Sequence, residues 1–162
     1  MGTWGTKLTD NDGTADVLIG WDGYFKKHKN SDGYVDFKKA KITKTDFGKA
    51  FPKMMKESKI SLKELKKQYL LGSPYVSKID YKSKYLGYWN INLILVIYVL
   101  GKNAGYVFDK DFLSLAEVSA YQYAATSGLY FDQKDRKSVV SIGNALAKST
   151  LKTGKLNLMR YF

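Results

Sequence analysis

Cysteine is absent from this 162-residue chain, which also holds only two prolines, two arginines and one histidine. Without cysteine the protein has neither disulfide bonds nor thiolate metal ligands, a composition that fits a reducing cytosol. The scarcity of proline argues against a hinged layout of several domains. We therefore expect a single globular domain over residues 1–162, large enough to bury roughly 70% of its unfolded surface.

Long apolar runs are missing as well. The strongest, Ile91–Leu100, is interrupted by Asn92 and is half the length of the roughly 20 residues that a membrane-spanning helix needs. It predicts a buried core helix and no membrane association. The first apolar run, Val17–Ile19, is broken by Gly20 and Asp22 and does not resemble a signal peptide, so we expect a cytoplasmic protein.

Catalytic and cofactor motifs are equally scarce. The chain has no G-x-S-x-G elbow, no Walker-type phosphate loop and no dinucleotide fingerprint. The single histidine, His28, lies in a run of lysines, which predicts a solvated surface residue rather than a ligand. The acidic cluster Asp10–Asp16 does not match calcium-loop spacing and is better explained by helix capping. We expect no metal and no cofactor.

Glu117 is the one carboxylate within a predicted apolar helix, Phe112–Ala125. Burial would raise its pKa and suit it to act as a general acid, but hydrolysis needs a second carboxylate at a defined distance. Asp16 is the only partner worth testing. A hydrogen-bonded core carboxylate that ties down the N-terminal turn is the simpler interpretation, and we expect no enzymatic activity.

Apolar spacing predicts a mainly α fold: a compact helical bundle with one irregular basic excursion and one or two short strands at most. We expect helices over 13–25, from Pro52, and over 61–72, 88–100, 110–127 and 136–151. Asp12, Asp109 and Asp135 are the predicted caps of three of them. The capping box Ser61-x-x-Glu64 begins another.

Several remaining segments are less regular. Pro52 is expected to start a helix because proline inside one removes a hydrogen bond, and Gly101 is expected to end the helix before it. Residues 34–42 fit either a short strand or an irregular arm, and residues 75–85 a short strand. The apolar residues of the tail, 155–162, predict that it docks on the body.

Positive charge is concentrated in one quarter of the chain. Residues 26–67 contain fourteen lysines and five acidic residues, a net charge of +9 out of +12 for the whole protein. Such a single-sign field attracts an acidic partner and speeds encounter. Because 25 of the 27 basic residues are lysines, the forked guanidinium groups that read bases are nearly absent. The tract therefore suggests a steering surface.

The candidate partner-binding residues are the lysines of this tract and the tyrosines beside them. They are Lys26, Lys27, Lys29, Lys38, Lys39, Lys41, Lys63, Lys66, Lys67, Tyr24 and Tyr34. Buried aromatic residues usually dominate interface energy, so the tyrosines are the expected anchors. Tyr69 is a further candidate, although its position in a helix stripe also fits the core. Tyrosine interleaved with lysine can alternatively stack on and neutralise single-stranded nucleic acid.

The opening Met1-Gly2-Thr3-Trp4-Gly5-Thr6, followed by Asp10-Asn11-Asp12 and Asp16, resembles the start of a family of small bacterial proteins of unassigned chemistry. These begin M-G-x-W-G and continue through an acidic stretch into a first helix. Residues 113–120 are similar to that family's alanine-rich helix. The structural alternative is that the glycines allow a tight turn and Trp4 fills an apolar gap beneath it.

Some members of that family look like immunity proteins, which neutralise toxins encoded beside them. The resemblance therefore implies a protein that binds a cognate bacterial toxin and occludes its active site, and the lysine tract implies that the toxin is acidic at the contact. The alternative is a basic nucleic-acid-binding protein without strong sequence preference.

Overall fold

The structure is a computed structural model that describes residues 5–63 and 88–162. Within these two ranges the chain is mainly helical and contains no strand, which confirms the predicted fold class. Its α-helices are α1 Asp12–Trp21, α2 Lys44–Glu57, α3 Tyr88–Ala104, α4 Lys110–Ala125 and α5 Gln133–Ser149. Short 3-10 helices cover Asp22–His28, Thr126–Leu129 and Met159–Tyr161.

Helix α3 is the centre of the packing. Every side chain from Ile91 to Lys102 is buried, as expected for a helix that is apolar on all sides. Helices α1, α2 and α4 contact α3, whereas α5 makes its most extensive contact with α4. The sequence prediction that Ile91–Leu100 forms a core helix is confirmed.

An aromatic cluster joins α2 to this centre. Phe47 and Phe51 of α2 meet Tyr106 and Phe108 in the loop after α3, and Phe112 at the start of α4. Ring centroids are 4.4 Å apart for Phe108 and Phe112 and 5.0 Å apart for Phe47 and Tyr106. Contacts of this kind add to the stabilisation from burial. They fix the position of α2, which carries part of the basic surface.

Two of the predicted helix caps were wrong by one or a few residues. The side chain of Asn11, rather than Asp12, accepts the hydrogen bond from Thr14 N at 2.8 Å. Asp132, rather than Asp135, caps α5, because that helix begins three residues earlier than expected. Asp109 caps α4 as predicted and accepts from Phe112 N at 2.8 Å. Where several capping residues lie close together near a helix start, the sequence does not determine which of them is the cap.

Pro52 and Gly101 were expected to mark helix ends, and both predictions were wrong. Pro52 lies inside α2, where Phe47 and Met54 on either side of it are buried, so packing holds the helix together across the lost hydrogen bond. Gly101 lies inside α3, and a Cβ atom there would be 2.3 Å from Cζ of Phe108. Because Gly101 has no side chain, it leaves room for the Phe108 ring, and the helix continues to Ala104.

The predicted 13–25 helix is also shorter than expected. Helix α1 ends at Trp21, and the chain continues as the 3-10 helix Asp22–His28, inside which Phe25 leaves helical geometry with φ −125°. Trp21 and Phe25, which are four residues apart and so share one face of the predicted helix, are nevertheless both buried. After this change of helix type, Lys26 and Lys27 lie beside α2.

The C-terminal segment docks on the body, as predicted. Leu158 and Phe162 are buried, and Leu8 N and Thr9 N donate to the carbonyl oxygens of Tyr161 and Phe162 at 3.1 and 3.3 Å. Lys102 Nζ, at the end of α3, donates to the carbonyl of Lys152 at 3.1 Å. Burial of this lysine lowers its pKa.

Residues 34–42 form the irregular arm, the second of the two predicted alternatives. Val35 and Phe37 are buried, while Tyr34 and Lys38 are exposed. The alternation of apolar and polar residues therefore indicates which side chains are buried, although the backbone does not form a strand. The predicted strand over residues 75–85, the helix beyond Lys63 and the position of Trp4 lie outside the described residues. Across the part that the structure describes, no helix is long and apolar enough to cross a membrane.

Candidate partner-binding surface

The basic region, residues 22–63, comprises the 3-10 helix Asp22–His28, the irregular arm and α2 with the residues after it. All of the predicted binding lysines in this region are exposed: Lys26, Lys27, Lys29, Lys38, Lys39, Lys41 and Lys63. Lys66, Lys67 and Tyr69 lie outside the described residues. The apolar side chains of the region face inward, so its positive charge is presented to solvent.

His28 is not the solvated residue that its lysine neighbours suggested. Its side chain is only 15% exposed, and Nε2 lies 2.9 Å from Oδ2 of Asp46 at the start of α2. The hydrogen bond from His28, helped by Thr43 and by Lys27 Nζ at 3.6 Å, lowers the pKa of Asp46. The pair ties the 3-10 helix to α2 across eighteen positions of sequence.

Tyr24 makes a second tie between the same two elements. Its hydroxyl donates to Oε2 of Glu57 at the end of α2, and this hydrogen bond raises the pKa of Tyr24. Lys53 Nζ lies 5.8 Å from the centre of the Tyr24 ring, within the range of a cation–π contact. Tyr24 therefore has an internal structural role, whichever partner the surface binds.

Tyr34 is placed differently. It is 50% exposed and lies at the edge of a mainly apolar cavity of about 650 Å³ between α1 and the arm. Leu18, Ile19 and Val35 contribute to its wall, and Lys38 lies at its edge. Ile19 is 69% exposed, an unusually open position for an isoleucine beside a cavity. Of the two predicted anchors, Tyr24 and Tyr34, it is Tyr34 that has an exposed ring which a binding partner could cover.

The structure divides the predicted lysines into separate groups. Lys26 and Lys27 share a cleft of about 310 Å³ with Lys49 and Lys53 of α2. Lys49 and Lys53 were not among the predicted binding residues. Lys38 lies at the apolar cavity, and Lys39 is 3.9 Å from Asp36 on another side of the arm. Within the described residues 26–63, the predicted lysines therefore line different cavities.

Lys49 and Lys53 were detectable in principle. With Asp46 they are spaced three and four residues apart, which places them on one face of a continuous helix. The expectation that a helix would start at Pro52 separated Lys49 from Lys53 and hid this face. The pairing of His28 with Asp46 had no comparable signal, since it joins two elements through tertiary packing.

Glu117 is half-buried in α4, and burial raises its pKa, as predicted. Within residues 5–11, the hydrogen bonds that hold the N-terminal segment to α4 and α5 do not involve Glu117. Instead, the hydroxyl of Tyr123 donates to the carbonyl of Thr6, and Thr6 Oγ1 shares a 3.1 Å hydrogen bond with Ser138 Oγ. Asp16, its proposed partner, is exposed on α1. Among residues 5–63 and 88–162, no group of three or more histidines or carboxylates could hold a metal ion.

No protein-family model matches the chain, and no curated protein or solved structure shows significant similarity to it.

Proposed function

We propose that the protein is a non-catalytic inhibitor of the immunity type, which binds an acidic surface of a cognate bacterial toxin in the cytoplasm and covers its active site. The observation that carries the proposal is the outward placement of the lysines of the basic region on a scaffold fixed by the His28–Asp46 and Tyr24–Glu57 contacts. The resemblance of residues 1–6 to a family with immunity-like members supplies the type of partner.

A surface of this kind suits inhibition by occlusion. Exposed lysines raise the rate of encounter with an acidic partner, and a buried aromatic anchor then sets the rate of dissociation. Tyr34, beside the apolar cavity and Lys38, combines both elements within one part of the arm. We therefore expect the arm to form the centre of the contact.

Stopped-flow association with the protein product of the neighbouring gene tests this proposal. Reversing Lys38, Lys39 and Lys41 to glutamate should slow association at least about tenfold at low salt and flatten its salt dependence. The matched control reverses Lys134, Lys148 and Lys152, which are equally exposed but lie on α5 and just after it. Equal slowing by both triple variants, or no complex at micromolar concentration, would reject it.

A second candidate function is nucleic-acid binding without strong sequence preference. Tyr24 and Tyr34 both lie among exposed lysines, an arrangement that combines stacking with phosphate neutralisation. A gel shift with random single- and double-stranded oligonucleotides discriminates between the two functions. Binding that persists at physiological salt favours the nucleic-acid function, since contacts to phosphates alone weaken steeply with salt.

A further inference from the structure

The cleft between the 3-10 helix Asp22–His28 and α2 concentrates positive charge. Four lysines line it, Lys26 and Lys27 from the first element and Lys49 and Lys53 from the second. Its volume of about 310 Å³ is at the lower end of the range for small-molecule sites. Like charges placed together repel one another, and an anion bound among them would relieve that repulsion.

The acidic residue of the cleft does not neutralise these lysines. Asp46 Oδ2 is bonded to His28, and Oδ1 is 3.6 Å from Lys27 Nζ, so Asp46 is balanced within its own contacts. Lys26, Lys49 and Lys53 form no ion pair with a described carboxylate. Three of the four lysines that line the cleft are therefore left without an ion pair among the described residues.

The walls of the cleft are held in place from both sides. The His28–Asp46 hydrogen bond fixes the backbone near Lys26 and Lys27 to the first turn of α2. The contact of Tyr24 with Glu57 fixes the other end, and Lys53 is drawn over the Tyr24 ring. Preorganised walls lower the entropy that binding would otherwise cost.

We propose that this cleft binds a phosphate-bearing anion, with Lys26, Lys49 and Lys53 donating to its oxygens. A phosphate group carries close to two negative charges and offers three acceptor oxygens, enough for three ammonium groups at once, whereas a carboxylate has two oxygens and one charge. Lysine binds phosphate as a point charge without needing the geometry of arginine. This inference does not depend on toxin neutralisation.

Calorimetric titration with inorganic pyrophosphate tests the site in the whole chain. The double variant Lys49→Ala with Lys53→Ala should weaken binding at least about tenfold, because it removes two of the three donors. The control, Lys148→Ala with Lys152→Ala, removes the same charge elsewhere and should change affinity less than about twofold. Circular dichroism establishes that both variants fold.

Two further ligands define the chemistry. Malonate carries two negative charges on carboxylates and should bind at least about tenfold more weakly than pyrophosphate. A short single-stranded oligonucleotide separates the sources of phosphate. If the oligonucleotide binds more tightly than pyrophosphate and the Lys49→Ala, Lys53→Ala variant weakens its binding, the ligand is a nucleic-acid backbone. If it binds more weakly than pyrophosphate, the ligand is a small phosphorylated molecule. Equal weakening by cleft and control variants, equal binding of malonate, or no pyrophosphate binding at millimolar concentration would overturn the proposal.

Discussion

Helices α3, α4 and α5 and the basic region before them are held by different kinds of contact. In the three helices, apolar faces and small residues allow close backbone approach, as where Gly143 of α5 meets Ala120 and Ala124 of α4. In the basic region, the irregular backbone before α2 is held by the contact of Phe25 with Phe37 and by two polar ties to α2, His28–Asp46 and Tyr24–Glu57.

This difference separates the groups that stabilise the fold from those available for binding. Helix α3 is buried from Ile91 to Lys102, and α4 and α5 each bury one face, so the side chains on these faces are constrained by packing. In the part of the basic region that precedes α2, residues 22–43, the buried side chains are Phe25, Val35 and Phe37, and the lysines around them face solvent. Changes to those lysines should alter binding without altering the fold, whereas changes in the helices should do the reverse.

The largest effect is expected from Gly143→Ala in α5. A Cβ atom there would lie 2.6 Å from the carbonyl oxygen of Ala120 and 2.7 Å from Cβ of Ala124. Alanine normally stabilises an exposed helix by about 1 kcal/mol relative to glycine. We expect instead a loss of about 3 kcal/mol in the free energy of unfolding, since the two helices must separate.

Urea unfolding followed by circular dichroism measures this loss. Gly128→Ala is the control, because a Cβ atom at that position meets nothing within 4 Å. If Gly143→Ala were as stable as the control variant, the close approach of α4 and α5 at Gly143 would not contribute to the free energy of unfolding.

Phe37→Ala should have the next largest effect, confined to the basic region. Phe37 is 5% exposed and meets Phe25 edge-on with centroids 5.6 Å apart. Removing a buried phenylalanine costs about 3 kcal/mol or more where the surroundings stay folded. Because the arm has few other buried contacts, we expect only part of that cost, less than the loss in Gly143→Ala, to appear in the free energy of global unfolding, and the rest to appear as local opening.

Hydrogen exchange locates this opening. The amides of Tyr34 and Ala40 should exchange faster in Phe37→Ala, while those of Leu95–Val99 in α3 keep their protection. Ile19→Ala, at a 69% exposed position, is the control and should leave both sets unchanged. Equal loss of protection in the arm and in α3 would show that the two regions unfold as one unit.

Asp46→Asn should have a smaller effect that depends on pH. The folded protein lowers the pKa of Asp46 through the His28 hydrogen bond, so the ionised carboxylate stabilises the fold above its unfolded pKa of about 3.9. This stabilisation is lost as the pH falls below that value towards the folded pKa. The variant should melt at a lower temperature than the wild type at pH 7, and the difference should close in acid.

Thermal melts from pH 7 to pH 3 measure that difference. Asp32→Asn makes the same change of charge at an exposed site in the arm and should leave the melting temperature unchanged. A constant difference between Asp46→Asn and the wild type across this pH range would contradict the assignment of the stabilisation to the ionised carboxylate.

The smallest effect on stability is expected from reversing Lys38, Lys39 and Lys41 to glutamate. These side chains are exposed, and the 3.9 Å contact of Lys39 with Asp36 is a surface ion pair of the kind that contributes little. We expect the free energy of unfolding in urea to change by less than about 0.5 kcal/mol for each site. A loss of several kcal/mol would mean that the arm depends on its lysines for folding.

Sequence patterns predicted the elements that have strong local signals. The apolar run Ile91–Leu100 in α3 and the helical spacing of Val139, Ile142 and Leu146 in α5 indicate burial, and Asp109 marks the start of α4. The position of Pro52 inside α2 was not predictable from propensity, because burial on both sides of the proline outweighs its local preference. Local rules fail where packing supplies the larger energy.

The candidate site shows the same division. Composition alone located the excess of lysine in residues 26–67, since charge needs no fold to be counted. The grouping of Lys26 and Lys27 with Lys49 and Lys53, and the burial of His28 against Asp46, depend on how the 3-10 helix meets α2. These residues are separated in sequence, and only packing against the common core sets the distance between them.

The class of fold and the sign of the surface charge follow from the amino-acid sequence, because apolar periodicity and net charge are properties of short segments. Tertiary packing sets which glycines allow close contact between helices, which carboxylate is paired with His28 and which lysines share a cleft. Each of those depends on side chains from different helices, and their relative positions are set by the burial of the whole core rather than by any segment of it.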